Sequence, residues 1–315
     1  MADALPISRE MTFSYGVGRE VAPGVVRLVA ENPSPFTFKG TNTYLFGTRE
    51  VTVVDPGPES TAHLEAILAA AGERPIVRIM LTHTHRDHCD GLGALVEQTG
   101  APTYAFDRDA SDPAPRGTRE TSPSGEDFTD SAFRPDVPLA HDATIEADGV
   151  IVRALHTPGH APDHLCFALE GPAPAGEDND AERVLFSGDH VMGWSTTVVA
   201  PPEGNMGDYL RSLELVRVRA DTIYLPGHGG AIRTPQRVVK AYTMHRRWRE
   251  SAILDSIRDG VATIDALVAK CYPGLEEALI PAAGLSVLAH VEHLIERGVV
   301  ACDGPAVRDG VFSSV

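Results

Sequence analysis

Cysteine is scarce in this sequence. Four stand in 315 residues, at Cys89, Cys166, Cys271 and Cys302, and no two of them form a CxxC pair. That argues against a disulfide framework and suits a reducing compartment, so a cytoplasmic protein is expected. No stretch approaches the roughly 18 uninterrupted apolar residues of a membrane helix, so no membrane partner is expected either. The opening "MADALPISREMTFSYGVG" lacks the basic start and apolar core of a secretory signal. Long basic runs are missing too, and the net charge is −17. Proteins that grip nucleic-acid backbone usually carry a basic face. A polyanion would meet long-range repulsion here, which salt screens in part. The charge disfavours such a substrate without excluding it.

What is present is ordinary globular material, 43% hydrophobic and 23% charged, enough for a sizeable core. The first half alternates β-rich runs with helical ones. "GVVRLVA", "TNTYLFG" and "EVTVVD" read as successive strands with Gly-containing turns. "STAHLEAILAAAG" reads as a helix capped by Ser60 or Thr61 and ended by Gly72. "PIVRIMLT" is the next strand and "CDGLGALVEQTG" the next helix. Residues 107 to 135 are polar and proline-rich, and by composition form a mobile surface insertion. A second set of strands follows: "VIVRALHT", "HLCFALE", "RVLFSGD" and "DTIYLP", with the helix "DYLRSLELVRV" before the last. From about 235 the pattern turns helical, in "PQRVVKAYTMHRRWRESAILDSIRDG", "TIDALVAKCYPGLEEAL" and "LSVLAHVEHLIERG", and ends in a hairpin-like segment. The division predicted is a main domain over 1–235 and a small helical domain over 236–315.

The chemistry concentrates in "LTHTHRDHCDG", where His83, His85, Asp87 and His88 fall within six positions after an apolar strand. Alternate residues of a strand face one way, so His83 and His85 share a side if the strand persists. Asp87 and His88 follow as the chain turns into a helix. A metal site is the sharp reading, and a solvated polar loop the plain one. Three later segments favour the metal: "HTPGHAPDH" with His160, "FSGDH" with Asp189, and "YLPGHGG" with His228. Each places a nitrogen or carboxylate ligand in a glycine turn at a strand's carboxyl end, where side chains converge. Such ligands suit zinc, with iron or manganese as alternatives. Two ions a few ångströms apart can hold one hydroxide between them as a nucleophile. Asp87 or Asp189 could orient that nucleophile as well as ligate.

These motifs resemble the metallo-β-lactamase superfamily, whose HxHxDH signature stands here as His83, His85, Asp87 and His88. Within it, "NPSPFTFKGTNTYLFG", "VVDPG", "HTPGHAPDHLCF" and the helical tail resemble the lactamase-beta-like protein two subgroup. The resemblance implies an α/β fold, an αββα sandwich, followed by a small C-terminal winged-helix-like domain. It also implies a two-zinc centre: His83, His85 and His160 on one ion, Asp87, His88 and His228 on the other, and Asp189 bridging both. Asp55 matches the family's acidic position that orients a ligand histidine. His164 is left between a substrate contact and a strand-end structural histidine. His156 and His190 read as structural, and Cys89 as a small buried thiol. The cluster His245, Arg246, Arg247, Trp248 and Arg249 reads as the solvated face of a long helix.

The function expected is a dinuclear zinc hydrolase acting on an ester or phosphodiester of a small anionic substrate. Single-stranded RNA cleavage, glyoxalase II-like thioester hydrolysis and an iron-dependent persulfide dioxygenase are the alternatives. Single-stranded RNA is thus a further candidate partner. Duplex DNA is not expected, because residues 246 to 315 carry 7 Lys and Arg against 10 Asp and Glu. The tail is expected beside the mouth of the site. Oligomeric state is left open.

Overall fold

The computed structural model describes residues 5–107, 129–130, 132–171 and 182–315. Most of the predicted 107–135 insertion therefore lies outside the described residues.

Among the described residues the chain builds two facing sheets. The first holds seven strands in chain order: β1 (Arg19–Ala22), β2 (Val25–Val29), β3 (Asn42–Phe46), β4 (Val51–Val54), β5 (Ile76–Met80), β6 (Thr103–Phe106) and β7 (Val137–Leu139). Pairing is antiparallel from β1 to β4 and parallel from β4 to β7. The parallel part needs crossovers. These are supplied by α1 (Thr61–Ala71), and by α2 (Arg86–Cys89) with α3 (Leu92–Thr99). Ser60 caps α1, its side chain accepting from the His63 amide, and Gly72 ends it at φ +62. The second sheet runs β8 (Thr144–Ala147), β9 (Val150–His156), β10 (Leu165–Glu170), β11 (Val184–Gly188) and β12 (Ile223–Pro226). Only β11 and β12 are parallel in it, joined through α4 (Met206–Arg217), which Asn205 caps.

The eight predicted strands are all present. The structure adds β1, β6, β7 and β8, which are three or four residues long and alternate too briefly to stand out.

Three apolar clusters hold the layers together. Tyr44, Phe46, Phe167, Phe186 and Leu225 fill the space between the sheets. Leu28, Leu45 and Ile79 meet Ile67 of α1 and Leu95 of α3 on the outer face of the first sheet. Leu185 and Tyr224 meet Tyr209 and Leu213 of α4, with Val239 and Tyr242 of α5 (Pro235–Arg258), on the outer face of the second. This is the αββα sandwich, and its two sheets come together at one end.

A separate core forms at the C-terminus. Ile253 and Ile257, from the far half of α5, pack with Leu267 of α6 (Ile264–Cys271) and with Val287, Val291 and Leu294 of α7 (Ile280–Glu296). Val300 of β13 (Val300–Cys302) and Phe312 of β14 (Phe312–Ser314), an antiparallel pair, close it. The single helix expected over "TIDALVAKCYPGLEEAL" is interrupted: α6 ends at Cys271, and a 3-10 turn, Glu277–Leu279, precedes α7. Pro273 causes this, because proline disfavours helical backbone in the residue before it.

Candidate metal centre

The candidate ligands gather where the two sheets meet. Strand β5 ends at Met80, so His83 and His85 are not on a persisting strand as expected. They sit on the connection into α2, which itself carries Asp87 and His88. The connection is fastened on both sides. Thr82 donates its amide to Asp55 Oδ1 (2.7 Å) and its hydroxyl to Asp55 Oδ2 (2.7 Å), while its carbonyl accepts from the Leu165 amide of β10 (2.6 Å). From the second sheet, His160 follows β9, Asp189 follows β11, and His228 follows β12. The His228 turn is gripped by β3: Asn42 donates its amide to Gly227 O (2.7 Å) and its side chain to Pro226 O (2.8 Å).

Two groups of candidate ligand atoms result, linked by a third made of His83, His88 and Asp189. His83 Nε2 and His160 Nε2 each lie 3.0 Å from His85 Nδ1. Asp87 Oδ2 lies 3.4 Å from His88 Nε2 and 3.3 Å from His228 Nε2. Within each group the atoms lie within 4.8 Å of one another. Asp189 stands between the groups, with Oδ2 3.6 Å from His160 Nε2 and 3.3 Å from His228 Nε2, and Oδ1 3.7 Å from His88 Nε2. All seven sequence-predicted residues are therefore brought together.

The outward ring nitrogens decide what the inward ones offer. His88 Nδ1 donates to Asp55 Oδ2 (3.0 Å), His160 Nδ1 to Val198 O (2.7 Å), and His228 Nδ1 to Gly40 O (3.3 Å). A neutral imidazole that donates from one nitrogen presents a lone pair at the other. Once neutral, each inward Nε2 can accept a cation, in the manner of ligand histidines held by carboxylates and carbonyls. His88 Nε2 and Asp189 Oδ1 are buried and have no hydrogen-bond partner, a costly arrangement that a coordinated cation relieves. The residues fit a metal.

Electrostatics divides the centre into two unlike halves. Burial opposes ionisation of Asp87 and Asp189, yet the neighbouring His88 and His228 hold both carboxyls below their ordinary range. Burial likewise opposes a charged His88, but Asp87, Asp189 and Asp55 raise it to about 9, and His228 is raised by Asp189 and Asp87. On the other side burial and the crowd of imidazoles depress His83, and burial with His85 depresses His160 to about 4. His83 and His160 therefore offer neutral nitrogens, while Asp87 and Asp189 make a negative pocket that holds positive charge on His88 and His228.

The remaining expectations sort clearly. Asp55 does orient a candidate ligand, His88, and it holds that position at φ +54. His164 is fully buried: Nδ1 meets Thr157 Oγ1 (2.8 Å) and Nε2 accepts the Asp189 amide (3.1 Å). It supports Asp189 from behind. His156 stacks on Phe106 and bonds Pro162 O (2.8 Å), and His190 packs on Tyr209. Both are structural by position. Cys89 is a buried thiol on Thr84 O, pushed up by burial. The solvated-face reading of the basic cluster needs correction. Arg247 and Trp248 are exposed, but Arg246 and Arg249 are buried. Arg246 donates to Thr197 O and Arg249 to Cys271 O.

Three neighbours escaped sequence reasoning. Thr41 donates its hydroxyl to Asp87 Oδ2 (2.9 Å), Thr197 donates to Asp189 O (2.8 Å), and Glu203 Oε2 lies 3.7 Å from His85 Nε2. Lone threonines and a glutamate after two prolines carry no motif that marks them. On the tail's side, Glu296 of α7 accepts from Asn205, whose amide donates to Gly159 O beside His160.

Comparison with known proteins fits this geometry. Residues 36–228 match the model of the metallo-beta-lactamase superfamily, and residues 263–306 that of the beta-lactamase associated winged helix domain. A beta-lactamase-like protein 2 homolog of Drosophila melanogaster is 32% identical over 289 residues, covering 87% of this chain and 88% of its own. An atrochrysone carboxyl ACP thioesterase of Aspergillus chevalieri is 31% identical over 244 residues, covering 76% of this chain and 68% of its own. Among solved structures, a metallo-beta-lactamase family protein of Thermus thermophilus superimposes with a TM-score of 0.70 at 26% identity, over 93% of this chain and 99% of that one.

Proposed function

This chain belongs to the metallo-beta-lactamase superfamily, and we propose that it is a hydrolase that holds two divalent cations, zinc foremost. His83, His85 and His160 would hold one, Asp87, His88 and His228 the other, with the Asp189 carboxylate between the two groups. The observation that carries this reading is the set of inward nitrogens of His88, His160 and His228, each freed by a donor bond on its far side. When bound, such cations polarise a carbonyl or phosphoryl oxygen and lower the pKa of water. Asp87 and Asp189 are the carboxylates that face the reacting group. Thr41 holds by its hydroxyl the Asp87 Oδ2 that faces His88 and His228.

The substrate class we propose is an ester-type acyl bond, thioesters included, of a small anionic molecule. Likeness to a relative named as a thioesterase supports the acyl choice. Phosphodiesters and unstructured RNA follow in order. Purified protein is expected to carry about two equivalents of divalent metal, and a carboxylic ester or thioester to be turned over ahead of a model phosphodiester and an unstructured RNA. One equivalent of iron with no hydrolysis would replace this reading with the dioxygenase. RNA cleavage outrunning every ester would replace the substrate class alone.

A further inference from the structure

We infer that Arg246, acting through Thr197, is a positioning residue for the Asp189 loop and so for metal affinity. The inference rests on the proposed metal centre. Residues 189–198 lead away from β11 and carry two groups that the centre needs, the Asp189 carboxylate and the Val198 carbonyl that orients His160. Little regular structure holds this segment. It is gripped instead by side chains from two helices.

Thr197 is the knot. Its hydroxyl lies 2.8 Å from Asp189 O and 3.1 Å from His190 O, folding the loop back on its own start. Its carbonyl is taken by the Arg246 guanidinium, which is 3% exposed and lies over the Tyr209 ring, 5.3 Å from its centroid. Tyr242, one helical turn earlier on α5, donates its hydroxyl to Met192 O and Ser195 O, and Tyr209 of α4 donates to His190 O (2.9 Å). One hydroxyl has one proton, so the two Tyr242 contacts share it. A guanidinium carries five N–H donors in a rigid fork and has no such limit, so it can fix a carbonyl outright.

The placement of Arg246 gives this a consequence. Helix α5 packs its first half on the second sheet through Val239 and Tyr242, and its last turns in the C-terminal core through Ile253 and Ile257. Arg246 lies between. The rod that anchors the tail domain therefore also anchors the loop bearing Asp189. Arg249, one turn on along the same face, has different partners: it donates to Cys271 O and lies 3.9 Å from the Tyr272 ring centroid, wholly within the tail. Two buried arginines on one helix thus provide a natural internal control.

The test is zinc affinity, measured by competition with a chromophoric chelator on the folded full chain, beside thermal melting with and without zinc. Arg246→Ala is expected to weaken zinc by about 10-fold, the lower end of the effect of removing a direct partner of a metal ligand, because it acts through Thr197. Arg249→Ala is expected to lower the melting temperature while leaving zinc affinity within about twofold of wild type. Arg246→Lys restores a donor to Thr197 O and should recover part of the loss. Thr197→Val, which removes only the hydroxyl, should weaken zinc in the same direction, and it serves if Arg246→Ala fails to fold. Equal zinc affinity in wild type, Arg246→Ala and Thr197→Val would overturn the inference. Equal weakening by Arg246→Ala and Arg249→Ala would reduce it to general destabilisation. Absence of zinc binding by wild type would overturn the metal centre itself.

Discussion

At the scale of single residues, the candidate ligands were legible and their supports were not. His83, His85, Asp87 and His88 announce themselves because imidazoles and carboxylates are costly to crowd without a cation. The groups that aim them are carbonyls, such as Val198 O and Gly40 O, and a carbonyl has no signature in sequence. The glycines around the ligands read as turns, and the structure gives a sharper reason for one of them. A Cβ on Gly227 would stand 2.4 Å from Asp189 Oδ1 and 2.6 Å from His88 Cε1. Gly227→Ala must therefore displace two candidate ligands, and it is expected to lose at least one equivalent of metal by elemental analysis. Asp55→Ala strips His88 of its orienting acceptor and leaves the Thr82 amide unpaired. A loss of about 10- to 100-fold in metal affinity is expected. The cost in stability, read by urea titration, should be about 1–3 kcal/mol. The basic cluster was misread for a simple reason. Helical residues turn by about 100° each, so 246 and 249 share a face and 247 lies away from it; a run of adjacent charges cannot all meet solvent.

At the scale of elements, the long periodic segments were readable and the short ones were not. Helices α1, α4, α5 and α7 have stripes, caps or stops that span two turns or more, whereas β6 and β7 are four- and three-residue pieces whose pairing is decided by the sheet they join. The contact of α5 with α7 carries a prediction about acid. His290 of α7 is fully buried, and burial depresses it to about 4. It faces Glu250, Arg246, Arg249 and His245, three of which oppose its protonation. A folded pKa below the unfolded 6.5 means stability that is complete above about 6.5 and lost as pH falls through about 4. His290→Leu removes that titration while keeping the volume roughly filled. Between pH 7 and pH 4 the wild type should therefore lose on the order of 2–3 kcal/mol relative to the variant, in paired denaturant titrations. Parallel pH profiles would mean that His290 titrates as freely folded as unfolded. The cap of α6 gives a smaller check: Thr263 accepts the Ala266 amide (3.4 Å), and Thr263→Ala should cost about 0.5–2 kcal/mol.

At the scale of the whole molecule, charge and site pull in opposite directions, and ionic strength separates them. The chain carries −17, and two divalent ions would remove only four of those charges. An anionic substrate approaching from solution therefore meets net repulsion until it reaches the cations, whose charge dominates at contact range. Repulsion of this kind is screened over about 10 Å at 0.1 M salt. Raising salt from about 0.01 M to 0.1 M shortens the screening length from about 30 Å to about 10 Å. It should raise kcat/KM for a dianionic ester or leave it level, and leave that of a neutral ester unchanged. A protein built to track a nucleic-acid strand does the reverse, losing affinity steeply as salt is added. The winged-helix region gives no ground for that behaviour: Glu292 and Glu296 stand on α7, and Glu296 already accepts from Asn205. A steep fall of kcat/KM with salt for the dianionic ester, absent for the neutral one, would show that a local basic surface outweighs the global charge. It would return unstructured RNA to the head of the substrate order.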